Sequence, residues 1–219
     1  MTSSSFPLPP LDRLPSGRHR LTRKAVESSQ RGRLLFAIAQ VVAEKGYAAA
    51  TVADIVDRAS VSRTTFYEQF PDKEACFLAA FDFAVEYVLG EMREAWEALG
   101  AGLEWRAHVR SDLTTYLNVL ASEPAFARAL HIEVIAAGPA ALERRAQMFA
   151  LFAGRTQRLH EFAREQEPSL PELPESAFAL HSGGIDEMIR EWLRTRGPST
   201  LPQLAEPALA ATFALFGDR

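Results

Sequence analysis

The stretch Thr51–Phe70, TVADIVDRASVSRTTFYEQF, decides how the rest of the chain is read. Thr51 offers a side-chain oxygen to the unbonded N–H groups that open a helix. Asp54, three residues on, can bond back, the pattern of a capping box. Val52, Ile55, Val56 and Ala59 then recur at helical spacing and form one apolar side. A turn at Ala59–Ser62 follows, and Ser62 can cap a second short helix. Val61 and Phe66 are spaced to pack on each other as a hydrophobic staple. Phe66 and Phe70, four apart, point the same way. The segment therefore predicts two short helices joined by a tight turn. The apolar side of the second helix faces a core, which leaves Ser62, Arg63, Thr64, Thr65 and Tyr67 on the other side. On an ordinary amphipathic helix those five meet water. On a helix that enters a DNA major groove, the arginine reaches a guanine or a phosphate and the threonines reach a thymine methyl or a phosphate oxygen. Spacing alone leaves both readings open.

Working outward, Leu34, Leu35, Ile38, Val41 and Val42 mark a helix from about Lys24 to Lys45, closed by Gly46. Pro71 and Asp72 end the short helices and start a long one, which runs to about Leu99. Further helices are expected at 103–121, 124–136, 139–166, 175–195 and 201–216. The breaks GAG, SEP, AGP, EPSLPELPE and RGPST separate them, each combining Gly or Pro with a polar or capping residue. No segment has the two-residue alternation of a strand. The fold class is all-α with about nine helices. Three parts are expected: a flexible basic arm over 1–24, a helix-turn-helix domain over 25–72, and a regulatory body over 73–219.

The formal charge of −4 is unevenly spread. Residues 1–70 hold 10 Lys/Arg against 6 Asp/Glu, and residues 71–219 hold 14 against 22. A basic head on an acidic body suggests that only the head meets a polyanion, the alternative being a chance split that a few residues either way would blur. Thr51 and Lys73, at two other helix N-termini, are placed to hold the DNA backbone. With one cysteine, Cys76, no intramolecular disulfide can form, which fits a reducing cytoplasm. No apolar run is long enough for a membrane span, and the N-terminus lacks the apolar stretch of a secretory signal, so a cytoplasmic location is expected.

The run TVADIVDRASVSRTTFYEQFPDKEACFLAAFD, with LLFAIAQVVAEKGY ahead of it, resembles the DNA-binding domain of the TetR family of bacterial transcriptional repressors. Gly46-Tyr47, Thr51-Val52, Ile55, Arg58-Ala59, Val61-Ser62, Thr65, Phe66-Tyr67, Phe70 and Lys73-Glu74 carry the resemblance in one register. It implies a three-helix head, an all-α body, a homodimer, a palindromic double-stranded operator and release by a small ligand. The positions it implies for DNA contact are Ser62, Arg63, Thr64, Thr65, Tyr67 and Lys73. The chain departs from the pattern at Ser60, where the family usually has Gly in the turn, and at Glu68 and Gln69. A serine at positive φ there costs of order 1 kcal/mol. Glu68, disfavoured against a phosphate, is expected at the groove rim or paired with a base such as Arg63. Arg18 and Arg20, in the arm GRHRLTRK, are candidates for a neighbouring minor groove.

In the body, a pocket needs apolar walls and a few convergent polar groups. Tyr116, His131, Phe149, Phe152 and His181 are the candidate contacts for a small apolar ligand, with Glu133 a further polar candidate. Gly183 and Gly184 fall inside a helix, where each costs about 1 kcal/mol against alanine, so close approach of another helix is expected there. With Ile185, Met188, Trp192 and, from the last helix, Phe213, they form the expected dimer interface. The histidines are too scattered for a metal site, and no cofactor motif is visible. No phosphate loop or nucleophile motif supports an enzyme. An activator role, or a body that only dimerises, is the alternative to the ligand-released repressor, and a helical-bundle enzyme or carrier with an incidental basic head is the third reading.

Overall fold

The computed structural model describes residues 29–100 and 102–217. Among these, nine α-helices and two 3-10 turns carry the chain, and there is no strand. Ser29 opens α1 (Gln30–Lys45) by accepting the Gly32 N–H at 2.9 Å. The helix thus begins later than the start expected near Lys24, and residues 24–28 lie outside the described residues. Gly46, at φ 80°, ends α1 in a conformation that a side chain disfavours. The helix-turn-helix follows as α2 (Val52–Ala59) and α3 (Arg63–Gln69). Asp72 then caps α4 (Lys73–Leu99), accepting the Ala75 N–H at 2.8 Å.

The body continues with α5 (Trp105–Ser122), α6 (Pro124–His131), α7 (Pro139–Gln166), α8 (Glu175–Thr195) and α9 (Ala205–Phe216). Two expected boundaries are corrected. The helix expected over 124–136 stops at His131, and Glu133–Ala136 continues as a 3-10 turn. Ile132, Val134 and Ile135 are β-branched and crowd a helical turn, and Gly138-Pro139 lies just ahead. The helix expected over 201–216 begins at Ala205, because Pro198–Leu204 is a 3-10 turn. Pro202 lacks an N–H and cannot continue an α-helix from the preceding turn, whereas Pro207 sits in the first turn of α9, where no donor is missed.

One core runs from head to body. Leu34, Ile38, Ile55 and Phe66 are fully buried in the head, and Phe77 of α4 joins them. Cys76 of α4 is buried, its thiol 3.9 Å from the Leu34 carbonyl, and burial pushes its pKa up to about 12. It packs as a small hydrophobe. Further along, Val85, Val88 and Met92 of α4 pack in the body. One long helix is therefore anchored at both ends, a lever between them. A second core at the far end joins Trp105, Leu159, Phe178 and Phe216. Among the described residues, no helix is long and apolar enough to cross a membrane.

Candidate nucleic-acid interface and body cavity

The two caps that define the helix-turn-helix are both formed. The Thr51 hydroxyl accepts the Asp54 N–H at 3.2 Å, and Asp54 accepts the Thr51 N–H at 3.1 Å and its hydroxyl at 2.8 Å. Lys45 adds an ion pair to Asp54 at 2.6 Å, and this bond, with those from Thr51, holds the Asp54 pKa down to about 2. Ser62 accepts the Thr65 N–H at 3.0 Å. Ser60 sits between the helices at φ 52°, ψ 50°, the left-handed region. It is the only described non-glycine residue at positive φ, so the expected strain is located there.

The faces of α3 divide as its spacing suggests. Phe66 is fully buried and Phe70 nearly so. Ser62, Arg63 and Thr64 are exposed, and Tyr67, its ring edge-on to Phe66, is 51% exposed. Thr65 is half-buried, its hydroxyl 2.9 Å from that of Ser62. Among the described residues Arg63 and Glu68 form no ion pair with each other, so the pairing offered for Glu68 is not made; both are exposed. Two arginines that the sequence reading passed over stand behind α3. Arg31 donates to the Gln69 carbonyl at 3.3 Å and lies over the Phe70 ring, and Arg33 donates to the Ser60 carbonyl at 3.4 Å. No motif marks them. Arg18 and Arg20 lie outside the described residues.

Lys73 occupies a different setting from the one expected. Its ammonium donates to the Tyr47 carbonyl at 2.8 Å and the Ala50 carbonyl at 2.9 Å, above the Tyr47 ring. Two of its three N–H groups thus tie down the loop between α1 and α2. Glu133 holds the same loop from the body. Its Oε2 accepts the Tyr47 N–H at 3.0 Å. Glu133, expected as a pocket group, is instead a contact between body and head.

The body holds a cavity of about 60 Å³ between α4, α5, α7, α8 and α9. Tyr116, Phe149, Phe152 and His181 all line it. His131 is set behind the wall rather than in it. Fully buried, it receives or gives the hydrogen bond of the Tyr116 hydroxyl at 3.1 Å and donates from Nδ1 to Asp186 at 2.7 Å. Asp186 also accepts from Arg145 at 2.7 Å and from Arg190. Burial opposes its charge, but the donors from His131 and Arg145 outweigh that and hold its pKa below the ordinary value. Elsewhere in the wall, Arg155 donates to both oxygens of Asp112, at 2.6 and 2.5 Å. The sequence reading passed over the Asp186–Arg190 pair, whose signal is its spacing of four on one helix. Asp112 and Arg155 are 43 positions apart, and nothing local joins them. Among the described residues, no three His, Cys, Asp or Glu side chains converge as metal ligands.

The expected dimer residues separate into two sets. Ile185 lines the cavity and is buried, while Met188 and Trp192 pack against the protomer's own core, the Trp192 indole donating to Thr200 at 3.0 Å. These three face inward because α8 turns its apolar stripe to α7 and to the 3-10 turn Pro198–Leu204. Phe213 is half-buried against Trp105. Gly183 and Gly184 look outward, where an added Cβ would meet nothing within 4 Å. Beside them Leu180 is 79% exposed, and Ala210, Ala211 and Ala214 of α9 are exposed as well. The sequence reading missed Leu180.

Comparison with known proteins places this geometry. Residues 34–80 match the family model for bacterial regulatory proteins of the tetR family. The HTH-type transcriptional activator FasR of Mycolicibacterium smegmatis is 32% identical over 84 residues, a stretch that spans 38% of this chain and 38% of that protein. The fatty acid degradation regulator FadR of Bacillus halodurans superposes with a TM-score of 0.73 at 19% identity, over 84% of this chain and 95% of that one. FadR of Bacillus subtilis, solved in complex with stearoyl-CoA, gives 0.71 at 18% identity, over 85% and 98%. At those identities the two structures speak for the fold alone, while the head carries the sequence match. Residues 34–80 thus carry the match to the tetR-family DNA-binding head, and the nine helices among the described residues take the fold of the FadR structures.

Proposed function

We propose that the chain acts as a homodimer on a palindromic DNA operator and that a small apolar ligand in the body releases it. The observation that carries the DNA half is α3. Its apolar side is buried, and Ser62, Arg63, Thr64 and Tyr67 are exposed together at its start and along one side. Arg18 and Arg20 extend the contact into an adjoining minor groove. The dimer half is supported by Leu180, Gly184, Ala210, Ala211 and Ala214, small or apolar and exposed on α8 and α9. The ligand half is supported by the largely apolar cavity and by the relative solved with stearoyl-CoA. At about 60 Å³ the cavity has room for a few groups, whereas ligand sites commonly reach several hundred Å³. A chain-like ligand therefore enters by moving Met92 and Met148, whose flexible thioether chains rearrange readily.

The test is selection of bound duplexes from a random pool at stated salt. A palindromic site with half-sites about one helical turn apart is expected. Arg63→Ala should then weaken binding to that site by about 1–3 kcal/mol, with a smaller effect on random duplex. Absence of any preferred duplex would overturn the reading. A second reading has its own observation: the FasR relative is a transcriptional activator. The same head activates when its operator lies where bound protein recruits polymerase, so a promoter–reporter assay decides the sign.

A further inference from the structure

We infer that the part of the ligand that enters the body cavity is an uncharged group with a hydrogen-bond donor, an alcohol or primary amide on an apolar stem, and is not a carboxylate. The inference rests on the ligand reading above and names the ligand's chemistry. Three observations carry it. First, among the described residues the wall has no free cation. Arg155 is the one Lys or Arg lining the cavity, and both oxygens of Asp112 take its N–H groups. Behind the wall, Arg145 and Arg190 are held by Asp186, with Glu187 on Arg190 at 2.6 Å. An entering carboxylate would meet the buried acids Asp112 and Asp186, and among the described residues no Lys or Arg of the wall is left to pair with it. That is a large desolvation cost without compensation.

Second, the proton positions around His181 can be worked out. The Thr212 hydroxyl donates its one proton to the Ala208 carbonyl at 2.8 Å. It must therefore accept from His181 Nε2, also at 2.8 Å, which puts the ring proton on Nε2. Nδ1 then holds a lone pair, buried and without a partner among the described residues. Burial also keeps the ring neutral, with its pKa lowered to about 4. Third, Ser182, next on the helix and 8% exposed, has a buried hydroxyl with no partner among the described residues. Both residues line the cavity. An unpaired buried acceptor and an unpaired buried hydroxyl on one wall are costly unless something bonds them. An alcohol or amide head donates to His181 Nδ1 and accepts from Ser182, while its stem lies against Tyr116, Phe149 and Phe152.

The experiment uses the full-length protein and four probes of similar length: 1-octanol, octanamide, 1-methoxyheptane and octanoate. Calorimetric titration and release of the selected operator are measured for each. Octanol and octanamide should bind at least about tenfold more tightly than the ether, which lacks the donor, and than octanoate. Ser182→Ala and His181→Gln, whose melts show that each is folded, should each narrow the gap between octanol and the ether. Equal or tighter binding of octanoate, or an unchanged gap in both variants, would overturn the inference and leave the sensor reading standing. If no probe binds or releases the operator, the sensor reading falls and this inference with it.

Discussion

Ser60 is where a single side chain most clearly works against the fold. Its backbone is left-handed, and it joins the two helices whose relative placement presents Arg63. Ser60→Gly removes the Cβ clash, but it also frees the unfolded chain, so the gain is less than about 1 kcal/mol. A rise of a few degrees in Tm, with operator affinity unchanged, is expected in a thermal melt. Asp112 works the other way. Asp112→Asn leaves the Arg155 guanidinium buried without its counter-charge, which costs about 3–5 kcal/mol. Urea unfolding should show that loss, and a shift of under 1 kcal/mol would refute the account of the pair. The histidines set the acid side. Burial lowers the pKa of His181 to about 4 and also lowers those of His108 and His160. Above pH ~6.5 the rings are neutral in both states and cost nothing. As pH falls from ~6.5 towards about 4, the unfolded chain takes up His181's proton and the folded one does not, so stability is lost across that window. His181→Gln should flatten the urea midpoint between pH 7.5 and 5.

At the scale of elements, α3 has seven residues and cannot be stable alone. It exists because Ser62 caps it and Phe66 anchors it. The loop from Gly46 to Ala50 is the other small element that matters. Lys73 grips two of its carbonyls and Glu133 one of its N–H groups. A lysine at the head of α4 invites the reading that it meets a phosphate, and one of its N–H groups remains to do so. The two roles differ in a measurable way. A phosphate contact contributes about one unit to the slope of log K against log salt. A clamp on the loop contributes stability and leaves the slope alone. Given two bonds from a charged donor, Lys73→Met should cost about 2–3 kcal/mol of folding stability and move the salt slope by well under one unit. A slope change near one, with stability intact, would favour the phosphate role. Because Glu133 lies two residues beyond His131, which touches Tyr116 and Asp186 of the cavity wall, the same loop is also where the body reaches the head.

The whole molecule shows which level of its organisation the sequence states openly. Helices punctuated by Gly and Pro were legible almost to the residue, as at Pro139–Gln166 and Glu175–Thr195. Caps are local chemistry, so the helix-turn-helix was legible too. The body's site was legible only in part. Tyr116, Phe149, Phe152 and His181 do converge, but Ser182 has no sequence mark, and Asp112 finds Arg155 only through tertiary packing. Helical period also fixed a stripe on α8 without saying which neighbour covers it. Ile185, Met188 and Trp192 proved to face the protomer's own interior. What remains outward is a face of little side chains around one large one. Leu180 stands 79% exposed beside Gly184, with Ala210, Ala211 and Ala214 exposed on the adjoining helix. An open glycine and three alanines let a second helix approach closely, and a twofold axis through such a face makes it complementary to itself. If that face joins two protomers, Leu180→Glu places two like charges in the contact. Sedimentation should then give a monomer of about 24.2 kDa, against a dimer for the parent chain. Far-ultraviolet circular dichroism should be unchanged, because Leu180 touches little of its own protomer. Operator binding should collapse to that of a single half-site, since two correctly spaced copies of α3 no longer arrive together. A Leu180→Glu protein that stays dimeric and binds as before would move the interface elsewhere.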